Sequence, residues 1–297
     1  MSETKRVLNF GSLNIDYVYC VDHLVRPGET IHSTGLEVYS GGKGLNQSVA
    51  LAKAGAVVFH SGCVGAADGR LLVDELTAAG VNTDHIRFTD VRSGNAIIQV
   101  DINGENSIVL FGGANRQCTE EQIKNTLKAF GPGDILLFQN ETNLVDALIT
   151  TGADLGLTVV FNPAPCDGLV KQYPLELVDI FIVNEVEAGE LTGMGKSGAD
   201  LMMAAMRKAF PKAGIVLTLG ERGAIYFDGE EEYRQKAFKA DVVDTTAAGD
   251  AFIGYFLAGY AKGEPSAEII RTAAKAAAIT VSKAGAARSI PAITSVI

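Results

Sequence analysis

Val243-Asp244-Thr245-Thr246-Ala247-Ala248-Gly249-Asp250 places a run of small residues ahead of an aspartate, and Ala251-Phe252-Ile253-Gly254-Tyr255-Phe256-Leu257 follows without a break. Phe252, Ile253, Phe256, Leu257 and Tyr260 repeat at helical spacing. A turn of small residues leaves backbone N–H groups uncovered, and the N-terminus of a helix expected over 251–261 adds a partial positive charge. Together they make an anion site. Asp250 stands in that turn, where a carboxylate can take a proton from an attacking hydroxyl. An anion hole beside a base is what phosphoryl transfer to an alcohol needs.

Four further segments carry suitable groups, each with a plain structural reading beside it. Gly41-Gly42-Lys43-Gly44-Leu45-Asn46 sets bare backbone next to a cation and an amide, which can hold a hydroxyl-rich ligand and a phosphate together. It lacks the spacing of a P-loop or a dinucleotide turn, and such loops also serve as tight turns. Asn14 and Asp16 follow the first strand-like run, at the end where open α/β folds bind ligands. A carboxylate there can accept from two neighbouring hydroxyls of a sugar, and an Asx turn uses the same residues. Asn184 and Glu187 lie three apart at a helix start, on one face, able to orient waters on Mg²⁺ or to form a capping box. Thr218-Leu219-Gly220-Glu221-Arg222-Gly223 follows another strand, as a close approach for a planar ligand or phosphate, or as a hairpin turn. The histidines, His23, His32, His60 and His85, are scattered and receive no role.

These motifs need a frame to position them. Strand-like runs at Val7–Gly11, Val57–Val64, Ile135–Phe138, Thr158–Phe161, Asp179–Val183 and Ile215–Thr218 alternate with helical patterns over 41–56, 68–79, 119–130, 143–155, 198–209, 251–261 and 266–283. The alternation predicts an α/β fold with a mostly parallel sheet covered on both faces. Ala224–Asp228 and Tyr233–Ala237 read as a hairpin, as do Ala96–Asp101 and Ser107–Phe111 around Asn103-Gly104. The strand-rich segments at about 12–40 and 94–111 break the alternation and read as a small β lid standing off one domain that spans 1–297.

The chain has 297 residues, 47% of them hydrophobic, enough for a sizeable core. A net charge of −10 argues against nucleic-acid or anionic-membrane partners. Cys20, Cys63, Cys118 and Cys166 are far apart in sequence, as expected for reduced thiols in a cytoplasmic protein. Met1 to Arg6 lead straight into the first strand-like run, so no signal peptide is expected. No apolar run approaches a membrane span.

In this order the motifs resemble the ribokinase-like carbohydrate kinase family. The loop from Gly41 through Ser48 to Gly55 and Gly65 is similar to its first signature, and Asp244 to Asp250 to its second. Pro27-Gly28-Glu29-Thr30, Gly113-Ala114-Asn115, Asn162-Pro163-Ala164-Pro165 and Asn184-Glu185-x-Glu187-Ala188 are similar to the ribokinase branch. The resemblance implies a three-layer α/β/α fold and ATP-dependent phosphorylation of the 5-hydroxyl of D-ribose. Its rivals are a kinase for another sugar or a nucleoside, such as 2-deoxyribose or a ketohexose, and a non-catalytic sugar sensor. It also implies roles. Asn14, Asp16, Gly41, Gly42, Lys43, Asn46 and Glu141 hold the sugar, under lid residues Ala96 and Ile98. Asp250 is the base, with Ala247, Ala248 and Gly249 as its anion hole. Asn184, Thr218, Leu219, Gly220, Glu221, Arg222 and Gly223 contact ATP with Gly249 and Asp250, and Glu187 acts through Mg²⁺. Asp244, Thr246, Thr280, Lys283, Gly285 and Ser289 surround a monovalent cation such as K⁺, mostly through backbone oxygens. A homodimer formed through the lids is expected. Ala274 departs from the polar or ring-bearing residue that the branch often sets beside adenine.

Overall fold

Val7 and Leu8 point to opposite faces of the first strand, and the two halves of the core grow from that alternation. The structure, a computed structural model, describes residues 5–195 and 197–297, so Met1 to Thr4, where no signal peptide was expected, lie outside it. In chain order the elements are β1 (Arg6–Phe10), β2 (Asn14–Cys20), β3 (Gly35–Gly41), α1 (Lys43–Lys53), β4 (Val57–Gly65), α2 (Arg70–Ala78) and β5 (Asn82–Thr89). Then come β6 (Gly94–Val100), β7 (Asn106–Phe111), α3 (Glu120–Leu127), β8 (Ile135–Gln139), α4 (Val145–Asp154), β9 (Thr158–Asn162), β10 (Ile180–Asn184), α5 (Glu185–Thr192) and α6 (Ala199–Ala209). The rest are β11 (Gly214–Thr218), β12 (Ala224–Phe227), β13 (Glu232–Gln235), α7 (Ala248–Lys262) and α8 (Ser266–Val281).

Nine strands form one sheet in the order β13-β12-β11-β10-β9-β8-β1-β4-β5. All pairs from β11 to β5 are parallel, and β12 and β13 add an antiparallel edge. One face buries Val7 with Leu45 and Val49 of α1, Leu72 and Leu76 of α2, Phe256 of α7 and Ile269 of α8. The other buries Leu8 and Phe10 with Ile123 of α3, Leu148 of α4, Ala188 of α5 and Met202 and Met206 of α6. This is the three-layer α/β/α arrangement expected of the sequence. After β1 the chain turns to β4 on one side and later to β8 on the other. The crevice between β1 and β8 is therefore the switch point at which such sheets bind ligands.

A second sheet, in the order β3-β2-β6-β7, is built from the segments that broke the alternation. Its β6–β7 hairpin turns at Asn103-Gly104, with Gly104 at φ 80°. Residues 21–34 lie between β2 and β3 and form no strand. The Arg26 and Glu29 backbones close a turn across Pro27-Gly28 there.

Two elements differ from expectation. β5 was not anticipated, because Asn82, Thr83, Asp84 and His85 open it with polar groups on a half-exposed edge. α7 begins at Ala248 rather than 251. Ala247 takes the left-handed conformation, φ 59°, and the helix starts directly after it, so Asp250 lies in the first turn of α7 and not in a loop before it.

α7 crosses α1 at Gly254. A Cβ at this position falls 2.3 Å from the Ala50 Cβ and 2.7 Å from the Leu51 backbone nitrogen. Gly254→Ala is expected to force the helices apart and destabilise the fold by about 1–3 kcal/mol, as overpacking does. Urea unfolding checks this, and an unchanged midpoint would refute the close crossing.

Candidate active site

Four central strands end on a polar side chain after an apolar run, Gln139 in β8, Asn162 in β9, Asn184 in β10 and Thr218 in β11, and β1 carries Asn9 one residue before its end. Parallel strands present these residues at one edge of the sheet. A cavity of about 100 Å³ opens there, lined among others by Lys43, Asn162, Asn184, Glu187, Thr218, Gly249 and Asp250. Six of these were singled out from the sequence. Asn162 was noted only as part of a motif.

Asp250 is buried, and amides from the start of α1 hold both its oxygens. Asn46 Nδ2 donates to Oδ2 at 3.0 Å and Gln47 Nε2 to Oδ1 at 2.9 Å. Asn46 Oδ1 is left buried without a partner among the described residues. The helix start leaves backbone donors beside this carboxylate. The Ala248 N–H reaches the Thr245 carbonyl at 3.3 Å and the Ala251 N–H reaches the Ala247 carbonyl at 2.8 Å. Between them the Gly249 and Asp250 N–H groups fall among the first donors of a helix, which have no intrahelical acceptor.

Lys43, the first residue of α1, projects into the same space. Burial works against its charge, yet the carboxylates of Asp250, Glu141 and Glu187 outweigh it and hold the ammonium above its ordinary value. Burial in turn raises Glu141, against the pull of Lys43 and of a hydrogen bond from the Ser12 hydroxyl. The Lys43 N–H also donates to Glu141 Oε2 at 3.3 Å. Burial raises Glu187 too.

Asn184 and Glu187 form the capping box in full. The Asn184 side chain accepts from the Glu187 N–H at 2.9 Å, and Glu187 Oε2 accepts from the Asn184 N–H at 2.9 Å. Both remain on the cavity wall, so the cap and a ligand-facing role coexist. Leu219, Gly220, Glu221 and Arg222 lie beyond the cavity lining, in a short 3-10 turn after β11, with Arg222 paired to Glu185. Gly223 has a packing reason of its own, since a Cβ there would fall 1.9 Å from the Gln235 carbonyl oxygen.

The remaining predicted sugar-pocket residues lie on one face of the second sheet. Asp16 pairs with Ala96, and Ile98 follows two residues on along β6. A Cβ on Gly41 would fall 1.9 Å from Asp16 Oδ2, so a side chain there would have to displace this carboxylate. Burial, with the Glu141 charge adding to it, pushes Asp16 up to about 7. Asn14 is held by Asn115, whose Nδ2 donates to Asn14 Oδ1 at 2.8 Å while its Oδ1 accepts from the Leu13 N–H at 2.9 Å. Asn115 and Gln47 were quoted in sequence motifs without a role, and Ser12 was not noticed. Their partners lie far along the chain, and only a polar residue inside an apolar context hinted at them.

Part of the third group is joined by hydrogen bonds. Asp244 Oδ1 accepts from the Thr246 N–H at 2.8 Å and Oδ2 from the Gly285 N–H at 3.0 Å. The Val243 and Asp244 N–H groups both meet the Val281 carbonyl. Residues 243–246 are thereby tied to Val281 at the end of α8, next in sequence to buried Thr280, and to Gly285 beyond it. Apart from the Lys283 side chain, which would repel a cation, this set offers oxygen donors, as a weakly hydrated cation requires.

Residues 4–293 match the family described as pfkB family carbohydrate kinase. The ribokinase of Haemophilus influenzae is 37% identical over 298 residues, covering 98% of this chain and 96% of that protein. The ribokinase of Cryptococcus neoformans var. grubii in complex with ADP superposes with a TM-score of 0.85 at 36% identity, over 98% of each chain. The ribokinase of Arabidopsis thaliana complexed with ribose and ATP gives 0.86 at 30% identity, over 99% of this chain and 97% of that one. The likeness covers nearly the whole chain, and the chain belongs to the pfkB family of carbohydrate kinases.

Proposed function

We propose that this protein transfers the γ-phosphate of ATP to the 5-hydroxyl of D-ribose, giving ribose 5-phosphate and ADP. The observation that carries the reading is the first turn of α7, where the Asp250 carboxylate and two free backbone N–H groups face one cavity. Ribokinases that match nearly the whole chain support the same substrates.

The sugar lies against the second sheet, with Asp16 accepting hydrogen bonds from neighbouring hydroxyls. Lys43 and Asn46 complete the grip, and Ala96 and Ile98 keep water from the reacting end. Asp250 takes the proton of the attacking hydroxyl while Asn46 and Gln47 hold its oxygens. The Gly249 and Asp250 N–H groups and the Lys43 ammonium meet the charge that develops on the phosphoryl oxygens, and most of the rate gain in such a transfer comes from meeting that charge. Mg²⁺ bound with the nucleotide supplies further charge neutralisation. Glu187 suits it as an acceptor for metal-bound water, because Mg²⁺ keeps much of its hydration shell. A K⁺ ion beside residues 244–246 and 280–289 would order the turn that leads into α7.

The 1–297 chain works as one kinase domain with the four-stranded sheet as its lid, and two lids meet in a homodimer. Val38, Tyr17, Ile97 and Val109 stand in register across all four strands, on the face opposite Asp16. Val38, Ile97 and Val109 are exposed. Tyr17 is half-buried against the main core, and the three exposed apolar residues beside it need another surface against them. Among the described residues no helix is long and apolar enough to cross a membrane. Use of ATP and the free thiols of Cys20, Cys63, Cys118 and Cys166 support a cytoplasmic setting.

A coupled ADP-release assay over a panel of ribose, 2-deoxyribose, ketohexoses and nucleosides tests the substrate, with ribose expected to lead and potassium to raise kcat at fixed ionic strength. Asp250→Asn should cut kcat by at least ~10²-fold while ribose still binds. A variant within a few fold of wild type removes Asp250 as the base.

Asp16 gives the site a pH dependence. Its carboxyl is raised by folding, so the folded state loses stability as pH climbs from the ordinary carboxylate range, and the loss is complete once pH passes about 7. Sugar hydroxyls donate to the ionised form, and protonation competes with them. The ribose Kd should therefore rise about tenfold from about pH 8 to about pH 6, and Asp16→Asn should flatten that slope. Calorimetric titration decides it, and a pH-independent wild-type Kd would exclude Asp16 from the sugar contact.

Sedimentation tests the assembly. The wild type should run as a dimer at micromolar concentration and Ile97→Asp as a monomer. A wild-type monomer that phosphorylates ribose would defeat the lid dimer and leave the reaction standing.

A further inference from the structure

Gln47 is wholly buried, and each hydrogen-bonding group of its amide has a partner. Its Nε2 donates to Asp250 Oδ1 at 2.9 Å and to Asn162 Oδ1 at 3.3 Å, and its Oε1 accepts from Gln139 Nε2 at 2.7 Å. Gln139 Nε2 also donates to Asn9 Oδ1 at 3.0 Å. Asn9 Nδ2 donates to the Gly44 carbonyl at 2.8 Å and to Ser48 Oγ at 2.9 Å. Ser48 Oγ lies 2.8 Å from His60 Nδ1, and burial pushes His60 down to about 3, so the ring is neutral.

The direction of the amide bonds from Asn9 through Gln139 and Gln47 to Asn162 is fixed at the two ends. A backbone carbonyl only accepts. The Gly44 carbonyl therefore turns Asn9 so that its Oδ1 faces Gln139, and the Ile182 carbonyl, which accepts from Asn162 Nδ2 at 2.9 Å, turns Asn162 so that its Oδ1 faces Gln47. Between these two fixed amides only one arrangement leaves no donor facing a donor. Gln139 offers its NH₂ to Asn9 and Gln47, and Gln47 offers its NH₂ to Asn162 and Asp250. Flipping Gln47 would set its oxygen against the Asp250 carboxylate and Asn162 Oδ1 and its NH₂ against that of Gln139, and would cost three hydrogen bonds, each expensive to lose in a buried site.

We infer that Gln47 is a positioning residue for phosphoryl transfer, holding the Asp250 carboxylate at a fixed angle to the incoming hydroxyl, and that Gln139, whose NH₂ keeps Gln47 from flipping, sets that orientation. This rests on the reading of Asp250 as the base. Asn46 alone secures Oδ2 and leaves the carboxylate free to swing about it, and Gln47 removes that freedom by securing Oδ1. An apolar residue would fill the space with less desolvation, so the fixed carboxylate is what the amide adds. Proton transfer depends steeply on such alignment.

The test compares Gln47→Met, Gln139→Met, Asp250→Asn and Gln47→Met with Asp250→Asn, with ribose Kd by calorimetry, kcat by ADP release and thermal melting for each. Gln47→Met should lower kcat by ~10–100-fold, with ribose Kd and ATP KM within about threefold of wild type. Gln139→Met should show the same split with a smaller drop, and it carries the test if Gln47→Met fails to fold. In the Asp250→Asn background Gln47→Met should add no further loss, because Gln47 acts only through that carboxylate. An unchanged kcat in a folded Gln47→Met protein, a rise in Kd that matches the fall in kcat, or a further loss in the double variant would each overturn the inference. Wild-type kcat in Asp250→Asn would instead overturn the assignment of the base itself.

Discussion

One ammonium, that of Lys43, faces the charges of three carboxylates, Asp250, Glu141 and Glu187, of which Asp250 and Glu187 are buried. The arrangement is short of positive charge before any phosphate arrives. Burial raises both Glu141 and Glu187, which is the response expected when charges of one sign are removed from water. A polyphosphate enters such a site only where backbone dipoles meet it and cations accompany it. That constraint accounts for the N-terminus of α7 at this point, with donors that carry no charge of their own. It also accounts for the many neutral amides around the carboxylates, which hold Asp250 in place without neutralising it.

The sheet makes this economical. Parallel strands end together, so a single change from apolar to amide near the end of β1, β8, β9 and β10 builds a polar floor at one edge while the strand interiors stay buried. The helices then bring charge to that floor from above. α1 contributes Lys43, Asn46 and Gln47 from its first turns, and α7 contributes Gly249 and Asp250 from its own. α1 and α7 touch at Gly254 with no room for a side chain, which sets the spacing between the two sets of residues.

Much of this was readable in the sequence because it is local. The small-residue run before Asp250, the glycines before Lys43 and the Asn184–Glu187 spacing each encode their geometry within a few residues. The strand-helix alternation pointed to the parallel sheet in the same way. What escaped reading is non-local or depends on a rare conformation. Gln47 is 203 residues from Asp250 and 92 from Gln139, so nothing near it announces either partner. The start of α7 was misplaced because Ala247 adopts a left-handed conformation that glycine takes far more readily. β5 was missed because its buried face is incomplete, which leaves period-two patterning weak at an edge.

The two sheets must keep Asp16 and Asp250 in one frame, although they share no strand. The chain crosses between them after β1, β3, β5 and β7, and the crossings are braced around Asn115. Its side chain bonds the Leu13 backbone and the Asn14 amide, and a Cβ on Gly94 would fall 2.2 Å from its Nδ2. Next to this brace the Gly41 Cα lies against the Asp16 carboxylate, and the chain passes directly from Gly41 through Gly42 into α1. A shift of the second sheet therefore reaches the first turn of α1, and from there the amides that hold Asp250, through adjacent backbone alone. Sugar contact and proton acceptor are joined by the Gly41-Gly42 backbone and one buried asparagine, which is a short mechanical link for two separate sheets.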